Sequence, residues 1–424
     1  MHRGVKWSNL LKWFYPGMKV KRWLLLAGAS AVALGIGILL LVGQSTVSAL
    51  YRALSDNLGL YYLVGSLLAL TGLFGIAWGL NEAANSVLST FPARTESTSD
   101  IIWKRRLLSR GPRVVTIGGG TGLSVLLRGL KRYTSNITAI VTVMDDGGSS
   151  GRLRQDMGML PPGDIRNCII ALADDESSMG EVFQHRFREG EGLAGHSLGN
   201  LFIAGMEQLQ GGFDRAIEET SKLLNIRGQV VPATLTKTNL VAHLSNGERV
   251  VGESKLSEKK GAILEIGLTE KAQLHPKALQ ELRKADIIVL GPGSLYTSLI
   301  PNLLVEGMAE EIEEAEATKI FVTNIMTEPG ETDGFSARDH LEALRPYLQP
   351  SCLDWSVVNV GEVEEELLNR YAQEGAKLVE DDLGDDNEFG IRVVKRDLVR
   401  TMQLEGKRTI KHDFEQLAKI IISH

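Results

Sequence analysis

The stretch Arg113–Ser124 reads RVVTIGGGTGLS and decides the fold of the larger part of this 424-residue chain. Its apolar half is short and stops at three glycines, which is typical of a buried strand. Residues 121–133 then place apolar side chains at helical spacing, and residues 137–144 form a second apolar run. A strand, a glycine-rich turn, a helix and a strand predict the first unit of a Rossmann-like α/β fold, with a doubly wound, mostly parallel sheet.

Short apolar runs that stop at a glycine, asparagine or threonine recur along the chain and predict further strands. These runs are Asp286–Leu290, Lys319–Thr323 and Ser356–Val360. Helical spacing of apolar residues predicts helices over Ile165–Ala173, Met179–Arg188, Ser197–Gln210 and Phe213–Leu224. Asn246-Gly247, inside residues 240–255, predicts a hairpin with a tight turn. Open α/β sheets bind ligands outside the carboxyl ends of their strands, so the residues that end each strand form the candidate site.

Composition narrows the class of protein. The formal net charge is -6, which gives no sign of a nucleic-acid partner. Glycine is abundant, with 45 residues against 12 prolines, and this suits an α/β protein with many tight turns. The two cysteines, Cys168 and Cys352, exclude a disulfide scaffold and a four-cysteine zinc module, and they favour a reducing compartment for the soluble part.

Two long, uncharged apolar segments precede this body. Residues 24–43 and 58–80 each approach the ~20 residues that cross a bilayer as a helix, and tryptophan and tyrosine lie near their ends. The alternatives are a signal peptide for the first segment or two buried helices of a soluble core. The first segment is long for a signal peptide, and two such runs in succession exceed most soluble cores. We therefore expect an N-terminal transmembrane helical hairpin within residues 1–80.

Basic residues flank the two segments unequally. Residues 1–22 carry six lysines and arginines, the link between the segments carries one, and six more follow between Arg94 and Arg113. By the positive-inside rule, both termini and the main domain lie in the cytoplasm, on a multi-pass protein of the inner (plasma) membrane. Residues 81–110 indicate a linker, and residues 111–424 a single α/β domain.

The first glycine turn ends the first strand and opens a helix. Its residues are Gly118, Gly119, Gly120, Thr121 and Gly122. Glycines let a backbone approach a phosphate closely, and a helix N-terminus supplies free N–H groups and partial positive charge. No Gly-Lys-Ser/Thr follows, so the turn is not a P-loop, and leucine replaces the third glycine of a dinucleotide fingerprint. The turn predicts an anion site, the alternative being a tight turn without a ligand.

Two acidic residues close the second strand beside that turn. Asp145 lies 27 positions after Gly118, where about 20 is usual for a ribose-binding acid. It could bind a ribose, hold Mg²⁺ together with Asp146, or act as a base, and a solvated acidic turn is the simpler alternative. In the glycine- and serine-rich loop that follows, Arg152 and Arg154 could contact phosphate.

Two further motifs lie between these strands and the second half of the sheet. PPGDIRN, at residues 161–167, indicates a rigid loop entering a helix with Asp164 as its N-cap. GHSLGN, at residues 195–200, contains the G-x-S-x-G pattern of serine hydrolases, which requires a buried strand directly before it. The preceding residues are polar and glycine-rich, so Ser197 is better interpreted as an N-cap, with Asn200 in the first helical turn. His185 and His196 lack a third ligand at metal spacing, which argues against zinc.

A second glycine turn follows the strand that ends at Leu290. Its backbone N–H groups and hydroxyls could converge on an anion, an aromatic ring could stack on a base, and the end of the next strand should point into the same crevice. The residues concerned are Gly291, Gly293, Ser294, Tyr296, Asn324 and Thr327. Two such turns in one sheet suggest a diphosphate or a nucleotide-sugar as the ligand.

Six motifs in order together resemble the gluconeogenesis-factor (YvcK-like) family of the CofD-like superfamily. They are GGGTGLS, MDDGGSSGRLR, PPGDIRN, GHSLGN, GPGSLYTSLIPNLL and NIMTEPGETDGFSARDH, within residues 113–345. The resemblance implies a Rossmann-like α/β fold that binds UDP-sugars, notably UDP-N-acetylglucosamine. It also implies a role in cell shape and in growth on gluconeogenic carbon sources, with no reaction firmly attached.

The resemblance also distributes roles. It places the diphosphate on residues 118–122 and 291–294, gives Asp145 the ribose or a metal, and gives Tyr296 the uridine or the sugar, with Asn200 and Asn324 assisting. No cofactor is required, Mg²⁺ could accompany the nucleotide, and a homo-oligomer is compatible with the family. The membrane hairpin is an addition to the usual soluble pattern.

The sequence is compatible with three functions. The first is a UDP-sugar-binding regulator of envelope precursor flow at the inner face of the membrane. The second belongs to the enzyme branch, CofD, which transfers phospholactate from a guanylylated donor to a deazaflavin with Mg²⁺, here through Asp145 and Asp146. The third is a serine hydrolase acting through Ser197. The motif GPGSLYTSLIPNLL favours the first.

Overall fold

The computed structural model describes residues 21–42, 58–88, 106–256, 261–384, 386–404 and 407–423. The chain divides into two compact units between residues 103 and 104. The first unit contains helices α1 (Lys21–Val42) and α2 (Leu58–Leu88). Helix α2 continues past the predicted span, so the predicted linker begins inside a helix, whereas the link between the segments and linker residues 89–105 lie outside the described residues.

Glycines form the contact between α1 and α2. A side chain at Gly72 would lie 2.6 Å from the Leu34 backbone nitrogen, and one at Gly37 would lie 2.6 Å from that of Ala69. Such close backbone approach is typical of packed membrane helices. Large apolar side chains are exposed elsewhere on the pair, namely Leu25, Val32, Leu63, Leu67, Leu70 and Phe74. Among the described residues, Tyr62–Glu82 is the one helical stretch long and apolar enough to cross a membrane, and Leu25–Leu39 is a shorter apolar helix.

Twelve strands lie in the described part of the second unit. They are β1 (Val114–Gly118), β2 (Ile137–Val141), β3 (Gln229–Pro232), β4 (Leu240–Leu244), β5 (Arg249–Val251), β6 (Ile263–Leu268), β7 (Ile287–Leu290), β8 (Thr318–Val322), β9 (Trp355–Asn359), β10 (Arg392–Arg396), β11 (Val399–Leu404) and β12 (Lys407–His412). Seven of these described strands form one parallel sheet in the order β10-β9-β8-β7-β1-β2-β3. The winding direction reverses between β1 and β7, which is where such sheets bind ligands.

Helices cover both faces of this sheet. The α-helices in the described part of the second unit are α3 (Gly120–Leu130), α4 (Gly148–Met157), α5 (Gly163–Leu172), α6 (Glu176–Gln184), α7 (Leu198–Gln210), α8 (Phe213–Leu223), α9 (Glu253–Leu256), α10 (Pro276–Leu282), α11 (Ile300–Leu303), α12 (Met308–Glu314), α13 (Ala337–Leu344), α14 (Glu365–Gln373) and α15 (Phe414–Ser423). Successive strand side chains point to opposite faces, so Val115 and Ile117 enter one buried cluster while Val114 enters another. The predicted Rossmann-like α/β fold is confirmed.

The structure refines the predicted elements in three places. The predicted hairpin is formed by β4 and β5, and β6 joins it in a small antiparallel sheet. The helix expected over residues 179–188 is wrong in its bounds, because Asp175 caps α6 by accepting a hydrogen bond from Ser178 N, and α6 ends at Gln184. Beyond residue 360, β10, the β11–β12 hairpin and two helices were not predicted.

Gly129 in α3 lies against α15. A methyl group at this position would overlap the Phe414 carbonyl oxygen and lie 2.8 Å from the Ala418 side chain. We expect Gly129→Ala to lower the free energy of unfolding by roughly 1–3 kcal/mol, because overpacking forces the helices apart. Gly205→Ala in α7 is the matched control: its methyl meets no atom within 4 Å, and it should stabilise by up to ~1 kcal/mol. Chemical denaturation measures both, and equal shifts would contradict the close α3–α15 contact.

Candidate functional site at the carboxyl ends of the strands

The two glycine turns meet at the carboxyl ends of the neighbouring strands β1 and β7. A side chain at Gly122 would lie 2.5 Å from the Pro292 carbonyl oxygen. One at Gly293, whose φ is +158°, would lie 3.3 Å from the Gly119 carbonyl oxygen. Because a Cβ essentially never approaches backbone as closely as 2.5 Å, position 122 requires glycine. The structure therefore brings together two turns that are far apart in the sequence.

Both turns open into one crevice of about 250 Å³. Four segments supply most of its lining, namely residues 119–122, 292–294, 324–329 and 410–412. Ser298 and three residues on or just after α14, namely Tyr371, Glu374 and Ala376, complete the lining. The predicted residues that line the crevice are Gly119, Gly120, Thr121, Gly122, Gly293, Ser294, Asn324 and Thr327.

Lys411, on β12, brings a positive charge to the first turn. Its Nζ donates a hydrogen bond of 3.1 Å to Thr121 Oγ1. Among the described residues that line the crevice, Lys411 is the one lysine or arginine. Burial lowers the pKa of Lys411, and the negative charge of Glu328 opposes that effect. Lys411 therefore places a cation beside the N-terminus of α3, where an anion is favoured, while Glu328 and Glu374 also line the crevice.

His412 stays neutral next to this lysine. Its Nε2 donates to the Thr323 carbonyl oxygen at 3.1 Å. Burial, with a smaller contribution from the charge of Lys411, lowers the pKa of His412 to about 4. His412 therefore anchors the β12 strand to the end of β8 and adds no charge to the crevice near neutral pH.

Asp164 contacts the first turn. Its carboxylate accepts a hydrogen bond from the Gly120 backbone N–H. A side chain at Gly119 would lie 2.6 Å from Asp164 Oδ2, so the approach is close. Burial, followed by the charge of Asp145, raises the pKa of Asp164 to about 6. The N-cap prediction for Asp164 is wrong, since Pro162 precedes the first residue of α5 and the carboxylate is used by the turn.

Asp145 and Asp146 lie outside the residues that line the crevice. Asp145 Oδ1 accepts a hydrogen bond from Gly147 N at 2.8 Å, whereas Asp146 Oδ1 accepts one from Ser254 N at 2.8 Å. The two carboxylates thus hydrogen-bond to different segments, and a shared Mg²⁺ ion stays a prediction. In the described part of the chain, no three His, Cys, Asp or Glu side chains are grouped to hold a metal ion.

Further carboxyl groups lie near these aspartates. Burial raises the pKa of Glu253 to about 9, with Asp145 and Asp164 adding to the shift. Burial also raises the pKa of Glu331 to about 7, and Glu331 accepts a hydrogen bond of 3.0 Å from Thr297 Oγ1. This side of the sheet is acidic, so the anion-compatible surface is confined to the two turns and Lys411.

Three other predicted ligand residues contact protein groups outside the crevice lining. Asn200 is buried, where its Nδ2 donates to Ser149 Oγ at 3.0 Å and its Oδ1 accepts from Arg166 Nη1 at 2.8 Å. Arg152 donates to the Ala194 carbonyl oxygen at 2.8 Å and is absent from the described lining. Tyr296 is 7% exposed and packs edge-on against Phe335, so its ring is not presented to the crevice.

The ends of strands β7 and β8 fix the second turn. Asn324 Oδ1 accepts from Gly293 N at 3.2 Å, and Asn324 Nδ2 donates to the Gly293 carbonyl oxygen at 2.9 Å. Thr327 Oγ1 accepts from Lys377 N at 2.8 Å. Gly118 and Gly291 are buried at the strand ends and begin the two turns. These residues shape the crevice, and Asn324 holds the turn where the sequence analysis expected it to contact a ligand.

Ser197 is a helix cap. It is buried, accepts a hydrogen bond of 3.2 Å from Asn200 N, and receives another of 2.5 Å from Arg166 Nη1. The neighbouring His196 pairs through Nδ1 with Ser149 Oγ at 3.0 Å. Helix α7 begins directly after Ser197 without a preceding sheet strand, so the structure gives no support to a serine hydrolase.

A second cavity lies away from the glycine turns. It measures about 400 Å³ and runs between the edge strand β3 and helix α8. Its lining mixes Asp214 and Glu218 with Lys222 and Lys277, so opposite charges are interspersed. The smaller crevice is the better candidate because free backbone N–H groups, a cation and the reversal point of the sheet coincide there.

Fold and site together define a class: a Rossmann-like α/β protein in which two glycine turns meet at the reversal point of a parallel sheet. Residues 114–399 match the family model described as 2-phospho-L-lactate transferase CofD. A Bacillus subtilis protein named gluconeogenesis factor is 43% identical, over 74% of this chain and 98% of its own length. This chain therefore belongs to the gluconeogenesis-factor family of the CofD-like superfamily, as its motifs predict.

Two further comparisons bear on the fold and the N-terminal part. The crystal structure of a UPF0052-family protein from Bacillus halodurans has a TM-score of 0.69 and 43% identity, and covers 74% of this chain and 99% of that one. A relative from Nostoc sp. is 42% identical and aligns with 99% of this chain and 93% of its own length. Some relatives thus match over nearly the whole chain, and others over a length close to that of the second unit.

Proposed function

We propose that this protein binds a UDP-sugar, foremost UDP-N-acetylglucosamine, and acts as a regulator of cell shape and envelope precursor flow on gluconeogenic carbon sources. The observation that carries the proposal is the meeting of two glycine turns with Lys411 in one crevice. Relatives named gluconeogenesis factor support the link to gluconeogenic carbon sources.

A diphosphate suits the charged end of this crevice. The start of α3 offers the backbone N–H groups of residues 121 and 122, while that of Gly120 is shared with Asp164. The second turn offers the N–H of Ser294, since Gly293 N–H donates to Asn324. Two turns side by side provide donors for two phosphates, and Lys411 supplies the counter-charge. We place the diphosphate there.

The uridine and the sugar require a less polar surface. Ile325, Met326 and Ile410 line the crevice and belong to one small apolar cluster. Tyr371 stands beside them, with its hydroxyl accepting a hydrogen bond of 3.0 Å from Ile410 N. We place the uracil against this wall, where an aromatic ring and aliphatic side chains can pack on it.

Calorimetry with four ligands tests the proposal. UDP-N-acetylglucosamine and UDP should bind, UMP should bind more weakly because it engages one turn, and GDP tests base selection. Titrations with EDTA and with Mg²⁺ separate metal-free from metal-assisted binding. The proposal would be overturned if millimolar UDP-N-acetylglucosamine gave no heat of binding and millimolar UDP gave none either.

We also propose that α1 and α2 span the membrane as a hairpin with both ends in the cytoplasm. The exposed apolar side chains, the glycine contacts and the flanking basic residues support it. Gly72→Leu should separate the helices, and a cysteine pair across them should then fail to crosslink. Gly28→Leu, with no atom within 4 Å, is the control. Full extraction of the wild-type chain by alkaline carbonate would contradict a spanning hairpin.

The regulatory role is tested in cells. Depleting the protein should deform cells and stop growth on a gluconeogenic carbon source, and the wild-type chain should restore both. A variant that cannot bind UDP-N-acetylglucosamine should fail to restore them. If that variant restored cell shape and growth as well as the wild type, ligand binding would not be needed for the regulatory role.

The family match favours one second candidate, a phospholactate transferase. The test incubates the protein with a guanylylated phospholactate donor, a deazaflavin acceptor and Mg²⁺, and follows the acceptor by mass spectrometry. Our proposal expects no product. Turnover that is abolished by Lys411→Met would replace the regulator by the enzyme.

A further inference from the structure

Asn302 ties the two glycine turns together from inside the protein. It lies on α11, which follows the second turn, and its side chain is completely buried. Its Nδ2 donates to the Gly118 carbonyl oxygen at 3.1 Å and to the Ser298 carbonyl oxygen at 2.7 Å. Gly118 begins the first turn, so one amide group bridges segments 184 residues apart.

The bridge fixes the first turn from a second side. The Gly118 carbonyl oxygen also accepts a hydrogen bond of 3.0 Å from Thr142 N, on the β2 side. It is therefore held between β2 and the helix that follows β7. The orientation of the Asn302 amide is set by chemistry, because turning it over would place Oδ1 against two carbonyl oxygens.

Ser298 shows why this bridge reaches both turns. A Cβ at Gly119 would lie 3.4 Å from Ser298 Cβ, and one at Gly293 would lie 3.7 Å from the same atom. Ser298 thus lies beside both turns, and Asn302 donates a hydrogen bond to its carbonyl oxygen. Movement of Ser298 would change the separation of the turns.

We propose that Asn302 is a positioning residue that sets the spacing of the two glycine turns, and thereby selects ligands carrying two linked phosphates. The inference rests on the proposed function for the identity of the ligand. It does not require Asn302 to contact that ligand. A ligand with one phosphate uses one turn and is indifferent to the spacing.

The first test compares two ligands on three proteins. Asn302→Leu keeps the volume and removes the donor, while the Gly118 carbonyl retains its bond to Thr142. Asn359→Leu is the control: Asn359 is also buried and bonds the backbone of Gly361 and Leu398, away from the crevice lining. We expect Asn302→Leu to weaken UDP-N-acetylglucosamine about tenfold and leave UMP unchanged, and Asn359→Leu to change neither.

A merely structural role would give a different pattern, in which Asn302→Leu lowers stability and leaves the ratio of the two affinities as in wild type. That outcome overturns the inference. Should Asn302→Leu fail to fold, Asn302→Ser takes its place, since its shorter hydroxyl cannot reach both carbonyls.

A second measurement needs no ligand. Amide hydrogen exchange of the turns at 118–122 and 291–294 should quicken about tenfold in Asn302→Leu and stay at the wild-type rate in Asn359→Leu. Unchanged exchange overturns the positioning role even if no UDP-sugar binds. If exchange quickens in Asn302→Leu but the wild type binds no UDP-sugar, the proposed function is refuted while the positioning role of Asn302 stands.

Discussion

Lys411→Met is expected to lower the affinity for UDP-N-acetylglucosamine by roughly 10- to 150-fold, the equivalent of about 1.5–3 kcal/mol for a charge-assisted hydrogen bond. Lys411 is the one lysine or arginine among the described lining residues, and it lies at the N-terminus of α3 beside Thr121. Methionine keeps much of the stem and removes the charge. Calorimetry at low and high salt measures the loss.

The folded state should tolerate this change. Burial lowers the pKa of Lys411, which means that its charged form is already disfavoured where it lies. Its removal should therefore leave the unfolding midpoint close to that of wild type. Lys419→Met, an exposed lysine on α15, removes the same charge away from the crevice and should bind normally. Equal losses in both variants would point to long-range electrostatics instead of a contact.

The sequence predicted the sheet and both turns because each is encoded locally. An apolar run that ends at glycines marks a buried strand and the turn after it, as in Arg113–Gly122. The pairing of β1 with β7 could not be inferred from the apolar runs alone, because it joins strands that are far apart in the sequence. The presence of two such turns in one sheet suggested a shared diphosphate, and the resemblance to a known family agreed with it.

Residues of the site that the sequence analysis missed are those whose role depends on distant contacts. Lys411 lies in the C-terminal hairpin, outside the six motifs, and nothing local in the sequence separates it from the other basic residues there. Asp164 was noticed in PPGDIRN as a local N-cap, whereas in the structure it accepts a hydrogen bond from Gly120, 44 positions earlier.

Two predicted ligand residues lie outside the crevice lining for the converse reason. Tyr296 and Asn200 have side chains that commonly bind ligands, and they follow turns that open into helices. The helical periodicity turns Tyr296 inward against Phe335, and Asn200 is used by Arg166 and Ser149. A polar or aromatic residue near a turn is thus weak evidence until the helix face it occupies is known.

The affinity for UDP-N-acetylglucosamine is expected to fall as the pH rises above about 6, and Asp164→Asn is expected to remove that dependence. Asp164 accepts a hydrogen bond from Gly120 N–H, which is one of the donors that a phosphate on this turn would use. Its pKa is raised to about 6 by burial and by Asp145, so it ionises just below neutral pH. If binding requires the neutral acid, affinity drops up to about tenfold per pH unit above that value.

The sign of the stability effect gives an independent check. The pKa of Asp164 rises from 3.8 to about 6 on folding, so its contribution to stability is full below about pH 4 and is lost as the pH rises through 6. Asp164→Asn should therefore stabilise the protein at about pH 8 and not at about pH 4. Glu331, whose pKa is raised to about 7, also titrates in this range, so the comparison that matters is the difference between wild type and variant. Calorimetry across this pH range in EDTA measures binding. Identical pH profiles for the two proteins would show that the phosphates do not share the Gly120 donor with Asp164.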